Sequence, residues 1–413
     1  MWLHHRFNLH HRDVEDLLAE RGRCKLKSME QAQRFLGEHA SAYNVFNFGR
    51  LWLCALLLIS ILLEPAYADH QALTAKKTKI NEHLQQDAQL IRQTFEKQLF
   101  TFPPYTAGHY GLRMYRQTLD KKYAMTLWSD MARIASSLNY YAYEVQTPEQ
   151  IRAYSAKTMA HYATEKKPRT QLRYQAMQSM PEYVYLGVGL LGAMARADEY
   201  GLKHKEDKKL RQVLRRYDFT KYVTDKKMIT AWAAQLANQV YWLRQLGEQD
   251  VVDSFIQRFR ETYPDSNDNQ LSNQQYSNKI YGLTHIIFAA SHYYQRAIKE
   301  QDFQWIYDYY RRNINTIISR TKEDVIAEVG INFLLAGLND DPVLLQTQKV
   351  IEQAIDHQHG LIPSVTGDLN LASSEHRNVL AIMLLDWKGP HQAPTFTQQP
   401  TIFDSLPYGL VAK

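Results

Sequence analysis

Between Thr321 and Trp387, apolar positions recur at helical spacing in three runs separated by short polar breaks. The spacing predicts helices over Glu323–Leu338, Val343–His357 and about Ser373–Trp387. Pro342 suits a first helical turn, where no amide partner is lost. Gly360 suits the left-handed position after a helix end, and Ser373 or Ser374 suits an N-cap. Upstream, Ala72–Phe100 reads as an amphipathic helix through Leu73, Ile80, Leu84, Leu90, Ile91 and Phe95, closed by Pro103-Pro104. Further helices are expected at about Leu119–Tyr143, Pro148–Thr164, Leu172–Tyr200, Lys205–Tyr217, Met228–Leu246, Asp250–Tyr263, Ser272–Ile298 and Phe303–Ser319. Strand signals are absent. The pattern therefore predicts an all-α protein of about twelve helices. The connections are short, which makes consecutive helices antiparallel hairpins. No linker rich in Pro, Gly or Ser divides them, so residues 69–413 are expected to form a single domain.

One apolar run has a different character. Arg50 precedes Leu51–Leu63, which is too short to span a bilayer comfortably, and Glu64-Pro65-Ala66-Tyr67-Ala68 follows. A basic flank, a short apolar stretch, a helix breaker and a small-x-small ending are the parts of a secretory signal peptide, here over residues 45–68 with cleavage after Ala68. A buried core helix would need neither the proline nor the Ala-Tyr-Ala ending. Residues 1–44 exceed an ordinary signal n-region and read as an extension, disordered or upstream of a true start near Val45. Their His4, His5, His10 and His11 form a tract that a metal could use, but an upstream extension accounts for them without one. Cleavage leaves no membrane anchor and implies a periplasmic or secreted protein.

Composition narrows the class. The 413 residues are 45% hydrophobic and 12% aromatic, ample for a large core. The formal charge of +6 is spread through mixed runs such as Lys203–Arg216, with no nucleic-acid-binding motif, so no nucleic-acid partner is expected. The two cysteines, Cys24 and Cys54, both precede the cleavage point, which excludes disulfides and thiolate metal sites from the mature chain.

Candidate chemistry lies on helix faces. Within Ser272–Ile298, Gln274, Asn278, Tyr281, His285 and His292 share one arc, opposite Ile280, Leu283, Ile287, Ala290 and Tyr294. Such side chains can bind a neutral polar ligand or move a proton near neutral pH, and they equally suit a polar layer between helices. Trp232, Gln235, Gln239 and Trp242 group likewise on Met228–Leu246. Ring faces beside carboxamides suit a sugar, and they also suit aromatic packing between helices. The acidic candidates are Asp324, Glu328, Asp368 and Glu375, with Asn332 one turn beyond Glu328 and His376 next to Glu375. Apolar neighbours at Glu328 are expected to raise its pKa toward that of a general acid. Glu375 in a first helical turn, and His357 and His359 at a helix end, also have plain dipole roles. Small residues Gly187, Gly189, Gly192 and Ala193 are expected to mark close helix contact. No phosphate loop, zinc-protease motif, nucleophile elbow or calcium loop is present, so no metal and no cofactor is expected.

About twelve helices in consecutive hairpins fit a closed α/α toroid of about six hairpins or an open superhelical stack. His357-Gln-His-Gly-Leu-Ile-Pro363 followed by a capped helix resembles the hairpins of the α/α-toroid superfamily, which includes glycoside hydrolases, polysaccharide lyases and terpenoid cyclases. The resemblance covers one hairpin directly and the rest by helix count. No catalytic motif of those families is matched, so it carries over no functional residue. The chain as a whole also resembles exported bacterial proteins grouped under a domain of unknown function. The expectation is an exported toroid protein acting on an oligo- or polysaccharide by hydrolysis or β-elimination. Tyr281, His285, Glu328, Glu375 and His376 are its catalytic candidates, and Trp232, Gln235, Gln239, Asn278 and Asn332 its substrate contacts. The alternative is a non-catalytic helical protein that binds a polysaccharide or a protein partner. An acid and a base within reach of one point would separate the two.

Overall fold

The computed structural model describes residues 79–413, apart from 393 and 400–404. The extension, the signal segment and its cleavage point lie outside the described residues, as does the start of the first expected helix. Residues 83–413 form one compact unit. The protein is all-α. Helix α1 runs through 79–96. It is followed by α2 (Pro104–Thr118), α3 (Ala124–Glu144), α4 (Pro148–Thr164), α5 (Pro168–Met177), a π-helical stretch (Val184–Leu191) and α6 (Gly192–Glu199). Then come α7 (Asp207–Arg215), the short α8 (Thr220–Val223), α9 (Lys226–Gln245), α10 (Val252–Thr262) and α11 (Asn273–Ala290). The last four are α12 (Gln304–Arg320), α13 (Glu323–Leu335), α14 (Pro342–Gln353) and α15 (Leu371–Leu385).

Helix neighbours form a circuit. α2 packs on α3, α3 on α6 and the π-helix, and these on α9; α9 packs on α11, α11 on α13, α13 on α15, and α15 returns to α2. α10 lies against α9, α12 against both α11 and α13, and α14 against α12, α13 and α15. The circuit brings α2, at the start of the chain, beside helices near its end.

Five local features depart from the sequence pattern. Helix α2 was not anticipated: Pro103-Pro104 ends the preceding segment but Pro104 also opens the next helix at its first turn. Its Gly108 and Gly111 depress helix propensity, yet a Cβ at Gly111 would overlap the Thr126 side chain, so the α2–α3 crossing requires it. Leu172–Tyr200 is not one helix; it breaks after Met177 and resumes in π geometry at Val184. A Cβ at Gly189 would stand 2.6 Å from the Tyr141 hydroxyl, the close contact the small residues implied. The last hairpin helix is capped by Asn370, whose side chain accepts from Ser373 N, rather than by Ser373 or Ser374. A strand pair exists: β1 (Leu202–His204) runs antiparallel to β2 (Leu410–Ala412), in strands too short to display a period of two. Finally, α11 stops at Ala290, and His292, Tyr293 and Tyr294 all take left-handed backbone, with φ of 51°, 54° and 72°.

That left-handed run costs roughly 1–3 kcal/mol per residue and persists only where its surroundings over-determine it. Here they do. Ser291 Oγ accepts from Tyr294 N at 3.0 Å, Arg116 donates to Tyr293 O at 2.9 Å, and His391 N donates to Tyr294 O at 3.1 Å. Arg116 is itself buried and held by Glu199 at 2.9 Å, so α2 and α6 jointly clamp the turn.

Candidate active site

Helices α2, α11, α13 and α15 bring one group of titratable side chains together, with Glu328 of α13 at its centre. Glu328 is 1% exposed. Its Oε2 accepts from Thr284 Oγ1 at 2.6 Å, and its Oε1 faces two imidazoles, His285 Nε2 at 3.6 Å and His376 Nε2 at 3.7 Å. Burial alone would push its pKa up; the two histidines outweigh burial and hold the carboxyl at about 2. This corrects the expected general acid: apolar neighbours on one helix are legible in sequence, but the imidazoles facing it from α11 and α15 are not. Glu328 is a permanent carboxylate that orients two rings.

The rings differ. Burial disfavours the charged form of His376, but the Glu328 carboxylate and its neighbour Asp324 win, raising His376 above the ordinary histidine value. His376 keeps 39% of its side chain exposed, so its proton can meet a ligand. His285 turns its other nitrogen, Nδ1, to Asn238 Oδ1 at 3.0 Å and the Tyr293 hydroxyl at 3.2 Å. Asn238 Oδ1 can only accept, so Nδ1 donates to it when it carries the proton; the tautomer protonated at Nε2, beside the ionised carboxylate, instead leaves Nδ1 to accept from Tyr293. Glu328, His285 and Tyr293 thus stand in a carboxylate–imidazole–phenol series, with the phenol at hydrogen-bond distance from the ring and the carboxylate at ion-pair distance, 3.6 Å, an order that could orient a base and activate a hydroxyl. Burial, with Tyr294 and Glu328 nearby, holds the Tyr293 phenol well above its ordinary pKa, so it keeps its proton until a reaction removes it.

Two further pairs flank the series. Tyr281 donates to Asp324, and burial together with Asp324 raises the phenol well above its usual value. His109 Nδ1 lies 2.8 Å from Glu375; burial and Arg113 outweigh that carboxylate and lower the imidazole to about 4, so it is neutral at pH 7. The His109 ring is 5.3 Å from that of His376 and 6.0 Å, stacked, from that of Tyr105, which is 62% exposed. Cations border the group as well. Arg113 acts on His109, His376 and Tyr293, and Arg169 lies 5.5 Å from the Tyr281 ring centre. The Nε of each is buried without a hydrogen-bond partner among the described residues.

All five expected catalytic residues therefore fall in this group. The five expected substrate contacts lie elsewhere. Trp232 is 2% exposed at a kink in α9, its ring covered by Arg173 at 4.0 Å. Arg173 also donates to Gln235 at 2.9 Å, and Gln239 accepts from Tyr183 at 3.0 Å. Asn278 donates to Thr230 O at 2.9 Å, joining α11 to α9, and Asn332 donates to the Tyr310 hydroxyl at 3.2 Å, toward α12. These are interhelical bonds of buried or half-buried polar groups. His292, expected on the arc of α11, lies beyond its end and is exposed.

Sequence reasoning missed Tyr105, His109, Arg113, Arg169, Asn238, Thr284 and Tyr293. Tyr105, His109 and Arg113 ride on the unanticipated α2, where the i, i+4, i+8 spacing was the available signal. Tyr293 had none, because helical phase assigns it no place in the arc.

Neither the curated proteins nor the solved structures gave a match to the chain. Residues 84–413 match the family described as a domain of unknown function, DUF3541, which takes in every residue of the site; the chain belongs to that family.

Proposed function

We propose that this protein is an exported α/α-toroid enzyme that cleaves an acidic polysaccharide by β-elimination. The Glu328–His285–Tyr293 series carries the reading, because a binder has no use for a phenol aligned on an imidazole that is aligned on a buried carboxylate. The circuit of helices supports a ring of six hairpins: α1–α2, α3 with the π-helix and α6, α7 to α9, α10–α11, α12–α13 and α14–α15. Hydrolysis is the weaker reading. It needs a carboxylic acid kept protonated opposite a second carboxylate, whereas Glu328 is ionised, Asp324 is bonded to Tyr281 and Glu375 to His109.

Elimination suits these residues. Arg113 and Arg169 would hold the uronate carboxylate, which acidifies the adjacent C–H bond. The Tyr293 oxygen takes that proton as its own passes to His285 Nδ1, and Glu328 and Asn238 stabilise the imidazolium. The electron pair forms a carbon–carbon double bond as the β C–O bond breaks. The leaving oxygen takes a proton from His376, whose pKa the Glu328 carboxylate raises above the ordinary histidine value. Tyr105 offers an exposed ring face to a flanking sugar.

Incubation with uronate polymers and with neutral glucans tests this. Acidic polymers should yield products with the ultraviolet absorbance of a conjugated double bond, and neutral ones none. New reducing ends without that absorbance would make the protein a hydrolase, and binding without cleavage would make it a binder. Export is part of the proposal: among the described residues no helix is long and apolar enough to cross a membrane, and the expected mature N-terminus is Asp69. Intact mass of the native protein should match residues 69–413; retention of residues 1–68 would overturn export.

A further inference from the structure

Away from the active site, α1 presents His83 and Asp87 one turn apart, and α14 presents Glu352 to them. His83 Nε2 lies 3.0 Å from Glu352 Oε1 and 4.0 Å from Asp87 Oδ2. Among the described residues, only these three bring potential ligand atoms all within 4.8 Å of one another. Ligand atoms around a tetrahedral ion with bonds of about 2.0–2.1 Å stand about 3.3 Å apart, so the cluster needs only small side-chain movements to match.

Asp87 is the informative member. Its side chain is 5% exposed on the buried face of α1, in line with Leu84 and Ile91, where an apolar residue would be expected. Its Oδ1 lies 2.9 Å from His357 Nε2, while its Oδ2, turned toward His83, has no hydrogen-bond partner among the described residues. A buried carboxylate oxygen left this way costs free energy unless something of opposite charge meets it. Ligating carboxylates are characteristically held by a second group through their other oxygen, and His357 occupies that position.

We infer that His83, Asp87 and Glu352 form a binding site for a first-row divalent cation of the zinc class, with His357 orienting Asp87. One imidazole and two carboxylates leave a position for water and favour such an ion over Ca²⁺ or Mg²⁺, which take oxygen ligands. The ion would clasp the first described helix to the last hairpin. The chain already closes there, since Arg92 pairs with Asp386 at 3.1 Å and the turn at Gly360 packs against Leu90 and Thr94.

The test uses the full chain with Zn²⁺, and Co²⁺ as a spectroscopic probe. One equivalent of Zn²⁺ should raise Tm, and Co²⁺ should give the visible absorption of a low-symmetry site. His83→Ala and Glu352→Gln, at accessible positions that leave the fold intact, should each weaken Zn²⁺ binding by about 100-fold, and His357→Ala by about tenfold. Asp87→Asn should abolish the Tm rise; if it fails to fold, the two accessible variants decide the matter. Zn²⁺ affinity unchanged in both of them would assign any binding to other histidines, such as those at the N-terminus, and overturn the site. So would equal stabilisation by Ca²⁺ or Mg²⁺, or no shift of Tm in the parent chain.

Discussion

Tyr293→Phe is expected to lower turnover of an acidic polysaccharide by about 1,000-fold, the scale of losing a positioned proton-transfer group, while leaving Tm nearly unchanged. The ring stays in place, and His285 Nδ1 keeps its second neighbour, Asn238. The backbone strain of the left-handed run is also untouched, because phenylalanine bears it as tyrosine does. The comparison that matters is kcat against stability on the same variant. Full turnover with a lowered Tm would make Tyr293 a packing residue of the 292–294 turn and remove the base from the proposed mechanism. His285→Ala should lose turnover as severely, since the phenol then has no acceptor; a double variant should be no worse than either single one, as for residues acting as a unit.

Glu328→Ala carries the largest expected effect on stability. It leaves His285, His376 and Thr284 facing a cavity where a carboxylate had been, and removing one partner of a buried charged pair costs about 3–5 kcal/mol. Because His376 is more than a third exposed, the lower end of that range is the expectation. The pH dependence has two signs. The Glu328 pKa is lowered from 4.5 to about 2, so its contribution is fully present above about pH 4.5 and is lost as the pH falls toward 2. His376 is raised above 6.5, so its contribution is fully present below that value and is lost as the pH rises through its folded pKa. The cluster should therefore stabilise most between about pH 4.5 and 6.5. Denaturant unfolding of parent and Glu328→Gln across pH 3–8 checks this. A difference between the two chains that does not vary with pH would show that Glu328 acts by packing alone. NMR titration should find the His376 pKa lowered in the variant.

Periodicity and punctuation in the sequence were enough to establish an all-α chain, the approximate span of most helices, and the face of α11 that carries Tyr281 and His285. Helical phase is a local property, so residues 281, 285 and 328 could be placed on faces without any knowledge of neighbours. What those faces meet is not local. Trp232 and Gln239 looked as available as Tyr281, yet α9 turns them toward Arg173 and Tyr183, and no feature within Met228–Leu246 distinguishes the two outcomes. The charge state of Glu328 followed the same rule: its apolar surroundings were visible along α13, whereas the two histidines that reverse the sign of its shift come from 43 and 48 positions away (328 − 285 and 376 − 328). Helix α2 was hidden because one proline pair served both as a stop and as a start. Tyr293 and Asp87 depended wholly on tertiary structure. The first sits in a backbone conformation that α2, α6 and the segment at His391 jointly impose, and the second is buried only because the first described helix lies against the last hairpin. Sequence determined which surfaces each helix had to bury. The closing of the helix circuit, a sum of contacts between residues far apart in the chain, decided which polar groups those surfaces brought together.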